Sequence, residues 1–120
     1  MAENLIDFET TGILHEALED GFIDVINEFI DSGKEITGQL LQIIEKSDFD
    51  NDKEKVRLLA HSLKGASGNI GAHLLSIKCQ DLESNVHTLV AENITELVNE
   101  IKDIFMKTQD EYIRQFKMAT

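Results

Sequence analysis

His61, Lys64, Gly65 and Gly68 fall within the single stretch HSLKGASG. A neutral imidazole, with an unperturbed pKa of about 6.5, is a good nucleophile near neutrality. A lysine three residues further along a helix brings an ammonium beside whatever that ring carries. A glycine at the fourth position removes the side chain that would crowd the ring, and a second glycine clears the next turn. Each glycine inside a helix costs about 1 kcal/mol relative to alanine, so two so close together imply a need for empty space. A nucleophile, a cation and open room on a convex helix make a poor small-molecule pocket. They suit an imidazole that must enter another protein's active site. The chemistry that fits is phosphoryl transfer. An ionised phosphoryl group carries close to two negative charges, and a neighbouring cation stabilises them. A histidine can accept the group covalently and pass it on. Such transfers rest on positioning and electrostatics, so magnesium and carboxylates can belong to the partner.

The element carrying this stretch is a helix over about 52–69. At about 100° per residue, with His61 at zero, Val56, Leu59, Leu63, Ala66, Ser67 and Ile70 spread around the opposite side and form the core face. Arg57, Lys64, Gly65 and Gly68 fall within about 60° of His61. The imidazole is therefore expected in solvent at mid-helix. The other apolar residues also recur at spacings of three and four, and the chain has no proline. A short first helix is expected near 10–18, capped by Thr10 or Thr11, with Ile13, Leu14, Ala17 and Leu18 as its apolar side. A second, capped by Asp20, runs to about 46 on Phe22, Val25, Ile26, Phe29, Ile36, Leu40, Ile43 and Ile44. Gly33 and Gly38 interrupt it, as sites of close helix approach or of a bend. SDFDND, residues 47–52, is a polar loop from which Asp50, Asn51 or Asp52 caps the third helix. The fourth starts near Gly71 or Ala72 on a stripe of Ala72, Leu75, Cys79, Leu82, Val86 and Leu89. The fifth follows Asn93, with Asn93 and Glu96 at capping-box spacing, on Ile94, Leu97, Val98, Ile101, Phe105, Thr108, Tyr112 and Phe116. Short connections force antiparallel neighbours. The expected fold is all-α: one domain over 1–120, an antiparallel up-down-up-down four-helix bundle with a short additional N-terminal helix and a flexible start over 1–9.

Charge and composition narrow the partners. The 120 residues are 42% hydrophobic and carry a formal charge of −12, which disfavours nucleic acid and anionic membrane surfaces. No apolar run approaches the roughly 18 residues that span a bilayer, and the start MAENLIDFET lacks the pattern of a signal peptide. A single cysteine, Cys79, fits a reducing cytoplasm. Residues 53–78 reverse the average: Lys53, Lys55, Arg57, Lys64 and Lys78 against Glu54 give +4, leaving −16 for the rest. His61 lies in the one basic part of the chain.

AHSLKGASGNIGAHLLSIKCQDLE, residues 60–83, resembles the signature of the histidine-containing phosphotransfer (HPt) domain of two-component phosphorelays. The matching positions are His61, Leu63, Lys64, Gly65, Ser67, Gly71, Ala72, Leu75, Cys79, Leu82 and Glu83. The resemblance implies a four-helix bundle whose exposed histidine, here His61, is phosphorylated on the ring nitrogen farther from the backbone. Lys64 would contact the phosphoryl group and Gly65 would let a receiver domain dock. Arg57, Leu58, Ser67, Phe8 and Ile13 are the expected docking residues. The implied partners are receiver domains of response regulators or hybrid kinases, each with an aspartate and its own bound Mg2+. No cofactor or metal of this chain's own is implied, and a monomer is the simplest expectation. Acidic receiver sites suit the local +4 segment.

Other chemistries fare worse. Asp48, Asp50 and Asp52 have the opening spacing of a calcium loop, but the required glycine and glutamate positions hold Lys53 and Leu59. The Glu-x-x-His motif of di-iron bundles is absent. With no P-loop or glycine-rich nucleotide motif, the reading is a phosphocarrier rather than a kinase. His15, His73 and His87 are expected on the surface, with His87 at a weak ion-pair spacing from Glu83. Cys79 reads as a small buried hydrophobe. The alternative function is an HPt-like module that binds receivers or kinases without carrying phosphate.

Overall fold

A computed structural model describes residues 4–118. The described residues form five α-helices: α1 (Phe8–Leu18), α2 (Phe22–Ile44), α3 (Lys53–Ile70), α4 (His73–Asn85) and α5 (Ala91–Gln115). Single 3-10 turns at Glu19–Gly21 and Asp50–Asp52 lead into α2 and α3. Helices α2 to α5 pack as a ring, each against the next and α5 back against α2. Their direction can be read from the contacts. Along α3 and α4, Glu54 meets His87, His61 meets Glu83 and Lys64 meets Ser76, so one number rises as the other falls. Phe22 against Phe116 and Phe29 against Phe105 and Tyr112 show the same for α2 and α5. The bundle is up-down-up-down, as the spacing of its apolar residues predicts.

The core is assembled from the stripes expected for each helix. Phe22, Ile26, Leu40, Val56, Leu63, Leu75, Leu82, Ile94, Ile101, Phe105 and Tyr112 are essentially inaccessible to water. Each such side chain, removed from water, stabilises the fold by about 1.5–3 kcal/mol, which offsets much of the entropy lost in ordering the chain. Gly33 is a point of close approach: a Cβ there would stand 2.6 Å from Cζ of Phe105. Gly38 has nothing within 4 Å of the same position, and α2 runs on through it to Ile44.

Several expected helix ends are corrected. Helix α1 starts two residues earlier than expected, because Asp7 caps it: Oδ1 accepts from the backbone N–H of Glu9 (3.1 Å) and of Thr10 (3.4 Å). Thr10 instead donates its hydroxyl to Asp7 Oδ2, and Thr11 is buried and donates to the carbonyl of Ile70 at 2.7 Å. Only Leu14 of its expected apolar side packs on the core; Ile13, Ala17 and Leu18 are exposed. Asp20 does not cap α2, which follows Gly21 without a side-chain cap. No aspartate or asparagine side chain caps α3; Asp48 accepts from Asp50 N at 3.0 Å, and Asp52 pairs with Lys46 at 2.8 Å. Helix α5 begins at Ala91 and not after Asn93, which lies inside it.

Of the expected flexible start, residues 1–3 lie outside the described residues. Residues 5–7 are fastened to the α3–α4 turn. Ile6 is buried, Asp7 N donates to Gly71 O at 2.7 Å, and Leu74 N donates to Leu5 O at 3.4 Å. That turn needs its glycine. Gly71 sits at φ 85°, in the left-handed region, and closes α3 as its C-terminal cap. With only Gly71 and Ala72 between them, α3 and α4 are held in a fixed register, and that register builds the site.

Candidate functional site

His61 projects from the outer face of α3 with its side chain 61% exposed. It is held at one edge only. Nδ1 lies 2.7 Å from Oε2 of Glu83, which α4 presents from across the helix pair. Glu83 is just 15% exposed. Lys64 above all, and then His61, hold its carboxyl below the usual range, against the opposing effect of partial desolvation. An ionised carboxylate only accepts hydrogen bonds, so Nδ1 carries the proton and donates it to Glu83. In the neutral ring the lone pair is then on Nε2, the nitrogen farther from the backbone, on the edge away from Glu83.

Lys64 stands one turn beyond His61 and is tied to the same residue. Its Nζ is 2.6 Å from Glu83 Oε1 and donates to Gln80 Oε1 at 3.0 Å. Gln80 in turn donates to Ser84 Oγ. A single carboxylate thus holds the imidazole with one oxygen and the ammonium with the other. The two glycines differ in what they leave open. A Cβ on Gly65 would meet nothing within 4 Å. One on Gly68 would make ordinary contact with Ser76 Oγ at 3.5 Å, because the space beside Gly68 faces α4.

On the other side of His61, Arg57 makes a two-armed ion pair with Glu54. Nε donates to Oε1 at 2.8 Å and a terminal nitrogen donates to Oε2 at 2.7 Å. Its remaining terminal nitrogen lies 4.0 Å from Glu83 Oε2, the oxygen that holds His61. Arg57, with His87, pulls the Glu54 carboxyl down to about 2. The expected pairing of His87 with Glu83 is corrected: His87 Nε2 is 3.4 Å from Glu54 Oε1, because Glu83 is turned toward α3.

Of the expected docking residues, Leu58, Phe8 and Ile13 are each half exposed or more, so their apolar side chains are accessible to a partner. Ser67 is corrected. It is fully buried, and its hydroxyl donates to the carbonyl of Leu63 at 2.5 Å. A side chain so enclosed lies beyond the reach of a docking partner. Among the described residues no group of three histidine, cysteine or acidic side chains is placed to hold a metal. Cys79 is buried, and burial pushes its thiol up to about 12, so it is no nucleophile.

Gln80 is a site residue that the sequence reading left out, and Glu83 stood in the motif without a role at the site. A signal was present: His61 and Glu83 are equidistant from Ala72 in the chain. A tight turn there, folding α3 back on α4, brings two such positions level with each other. Gln80 lies one turn before Glu83 on the same flank of α4.

Two solved structures share this fold. A crystal structure of histidine-containing phosphotransfer protein B (HptB) from Pseudomonas aeruginosa PAO1 superposes with a TM-score of 0.84 at 22% identity, covering 99% of this chain and 100% of that one. The histidine-containing phosphotransfer protein ZmHP2 from maize superposes with a TM-score of 0.82 at 18% identity, over 97% of this chain and 92% of that one. At such identities the likeness is one of fold. A comparison with curated proteins gave no match. The family is settled by sequence: the Hpt domain model matches residues 24–114, from the first turn of α2 through nearly all of α5, and the chain therefore belongs to the Hpt domain family, the histidine phosphotransfer domains of phosphorelays.

Proposed function

We propose that His61 is the residue that takes and gives the phosphoryl group, passing it between the aspartates of receiver domains. The observation that carries this is the Nδ1 contact with Glu83 at 2.7 Å on an otherwise exposed ring. It fixes the tautomer and leaves Nε2 as the free nucleophile.

In the loading step the Nε2 lone pair attacks the phosphorus of a receiver's aspartyl phosphate. The bond from phosphorus to the aspartate oxygen breaks, and its electron pair returns to that carboxylate. The ring now bears the phosphoryl group on Nε2 and a proton on Nδ1, so it is cationic, and the Glu83 carboxylate faces the protonated edge. Unloading reverses this: an aspartate oxygen of the next receiver attacks phosphorus, and the N–P electron pair returns to Nε2. Lys64 supplies a positive charge beside the transferred group. Gly65 leaves room for the receiver's loops, and Leu58, Phe8 and Ile13 offer it apolar contact. The metal that such a transfer uses belongs to the receiver, whose Mg2+ sits at its own aspartate. On this reading the chain is a phosphocarrier working in the cytoplasm, a compartment that suits its lone buried thiol.

The test is to mix the protein with a receiver domain carrying radiolabelled aspartyl phosphate, in the presence of magnesium. The label is expected to move to this chain as an acid-labile, alkali-stable adduct, and His61→Gln is expected to remove it while the helical circular dichroism stays unchanged. Tight receiver binding with no transfer would favour the alternative, a module that docks without carrying phosphate.

A further inference from the structure

We propose that Arg57 is a second phosphoryl-binding cation, held in reserve by Glu54 while His61 is bare. The proposal rests on the reading of His61 as the phosphoryl carrier and assigns that site a residue beyond it.

Four charged side chains form one linked cluster that reaches the imidazole through Glu83, and they balance: Lys64 and Arg57 against Glu83 and Glu54. A phosphoryl group on Nε2 brings close to two further negative charges. Lys64 can answer one of them. It sits on the C-terminal side of His61, between Glu83 and Gln80. The other cation within reach is Arg57, one turn toward the N-terminus of α3. Helical side chains lean toward the N-terminus, so the imidazole lies over the turn that Arg57 occupies. A guanidinium nitrogen of Arg57 and Nδ1 of His61 already share one oxygen, Glu83 Oε2, at 4.0 Å and 2.7 Å.

The present partner of Arg57 is easily exchanged. Glu54 is 57% exposed and lies three residues away on the same helix, a type of pair that contributes little in water. A phosphoryl group offers the same planar fork two oxygens of higher charge. When Arg57 turns to it, Glu54 is not stranded, because it stays in solvent with His87 Nε2 at 3.4 Å. The cost of release is therefore small, and the gain falls on the loaded state alone. Arg57 thereby lengthens the life of the phosphohistidine without holding the bare ring.

A small donor separates this role from docking. Phosphoramidate loads His61 with no receiver present: Nε2 attacks phosphorus, the donor's P–N bond breaks, and its nitrogen leaves with a proton as ammonia. Phosphohistidine is then followed by phosphorus NMR after the donor is removed. Arg57→Gln is expected to shorten the lifetime by about three- to tenfold, Arg57→Lys to recover part of it, and Glu54→Gln to lengthen it, all with unchanged helical circular dichroism. An Arg57→Gln lifetime equal to that of the wild type would overturn the assignment and leave Arg57 as a receiver contact only. A lengthened lifetime in Arg57→Gln would overturn it as well. If the wild-type chain takes no phosphate from either phosphoramidate or a receiver, the carrier reading itself fails, a result distinct from both.

Discussion

His61 and Glu83 are twenty-two residues apart in the chain and 2.7 Å apart in space. The contact spans two helices, α3 and α4, and depends on the turn at Gly71 that sets them level. It gives the imidazole one fixed edge and one free edge. Removing the carboxylate should therefore harm transfer without harming the fold. Glu83→Ala is expected to slow phosphoryl uptake on the order of tenfold, through lost positioning of the ring. Glu83→Gln, whose amide oxygen can still accept from Nδ1, should fall between. Nitrogen NMR of the His61 ring checks the cause directly. Nδ1–H should dominate in the wild type, and both tautomers should appear in Glu83→Ala.

Gly65 is open to solvent on a helix, so a side chain there can only obstruct a visitor. Gly65→Gln is expected to stabilise the isolated protein by about 0.5–1 kcal/mol in urea unfolding, from improved helix propensity. Receiver transfer should fall sharply, while loading from phosphoramidate is nearly kept. Equal receiver transfer in this variant would refute a role for the cleared space.

Two glycines of α2 should answer oppositely to one substitution. Gly33→Ala drives a methyl into the Phe105 ring and is expected to destabilise by about 1–3 kcal/mol. Gly38→Ala meets nothing within 4 Å and should stabilise by about 0.5–1 kcal/mol. Chemical denaturation of the two variants at one pH makes the comparison.

Acid should loosen the charge cluster in a defined window. The Glu54 carboxyl is depressed in the folded protein from 4.5 to about 2, mainly by Arg57, and Glu83 is depressed by Lys64 and His61. A depressed carboxyl contributes stability that is fully present above its unfolded pKa and lost as pH falls through the folded one. The stability difference between the wild type and Glu54→Gln is thus expected above pH 4.5 and should close by about pH 2. Because Glu54 is exposed, the difference should be small and should shrink with added salt. A gap that widens on acidification would contradict the sign.

The sequence made the bundle legible because burial repeats every three or four residues along each helix. His61, Lys64 and Gly65 could be placed on the outer face by the same periodicity. What was not legible depended on contacts between elements. Helix caps were misplaced where another residue competed: Asp7 took the start of α1 from Thr10, and α5 began at Ala91 although Asn93 and Glu96 carry the capping-box pattern. Glu83 was assigned to its neighbour on α4, His87, because spacing within one helix is visible in a sequence and the register between two helices is not. Ser67 shows the reverse error. Its place within the motif suggested a surface role, whereas the wheel, which set it toward the core, agreed with its burial.

The most direct measurement is the site of phosphorylation after transfer from a labelled receiver, mapped by mass spectrometry of alkaline digests. The phosphate is expected on His61 alone, at Nε2 by phosphorus NMR, and absent from His61→Gln. Phosphate on His15, His73 or His87, or a labelled His61→Gln chain, would contradict His61 as the carrier.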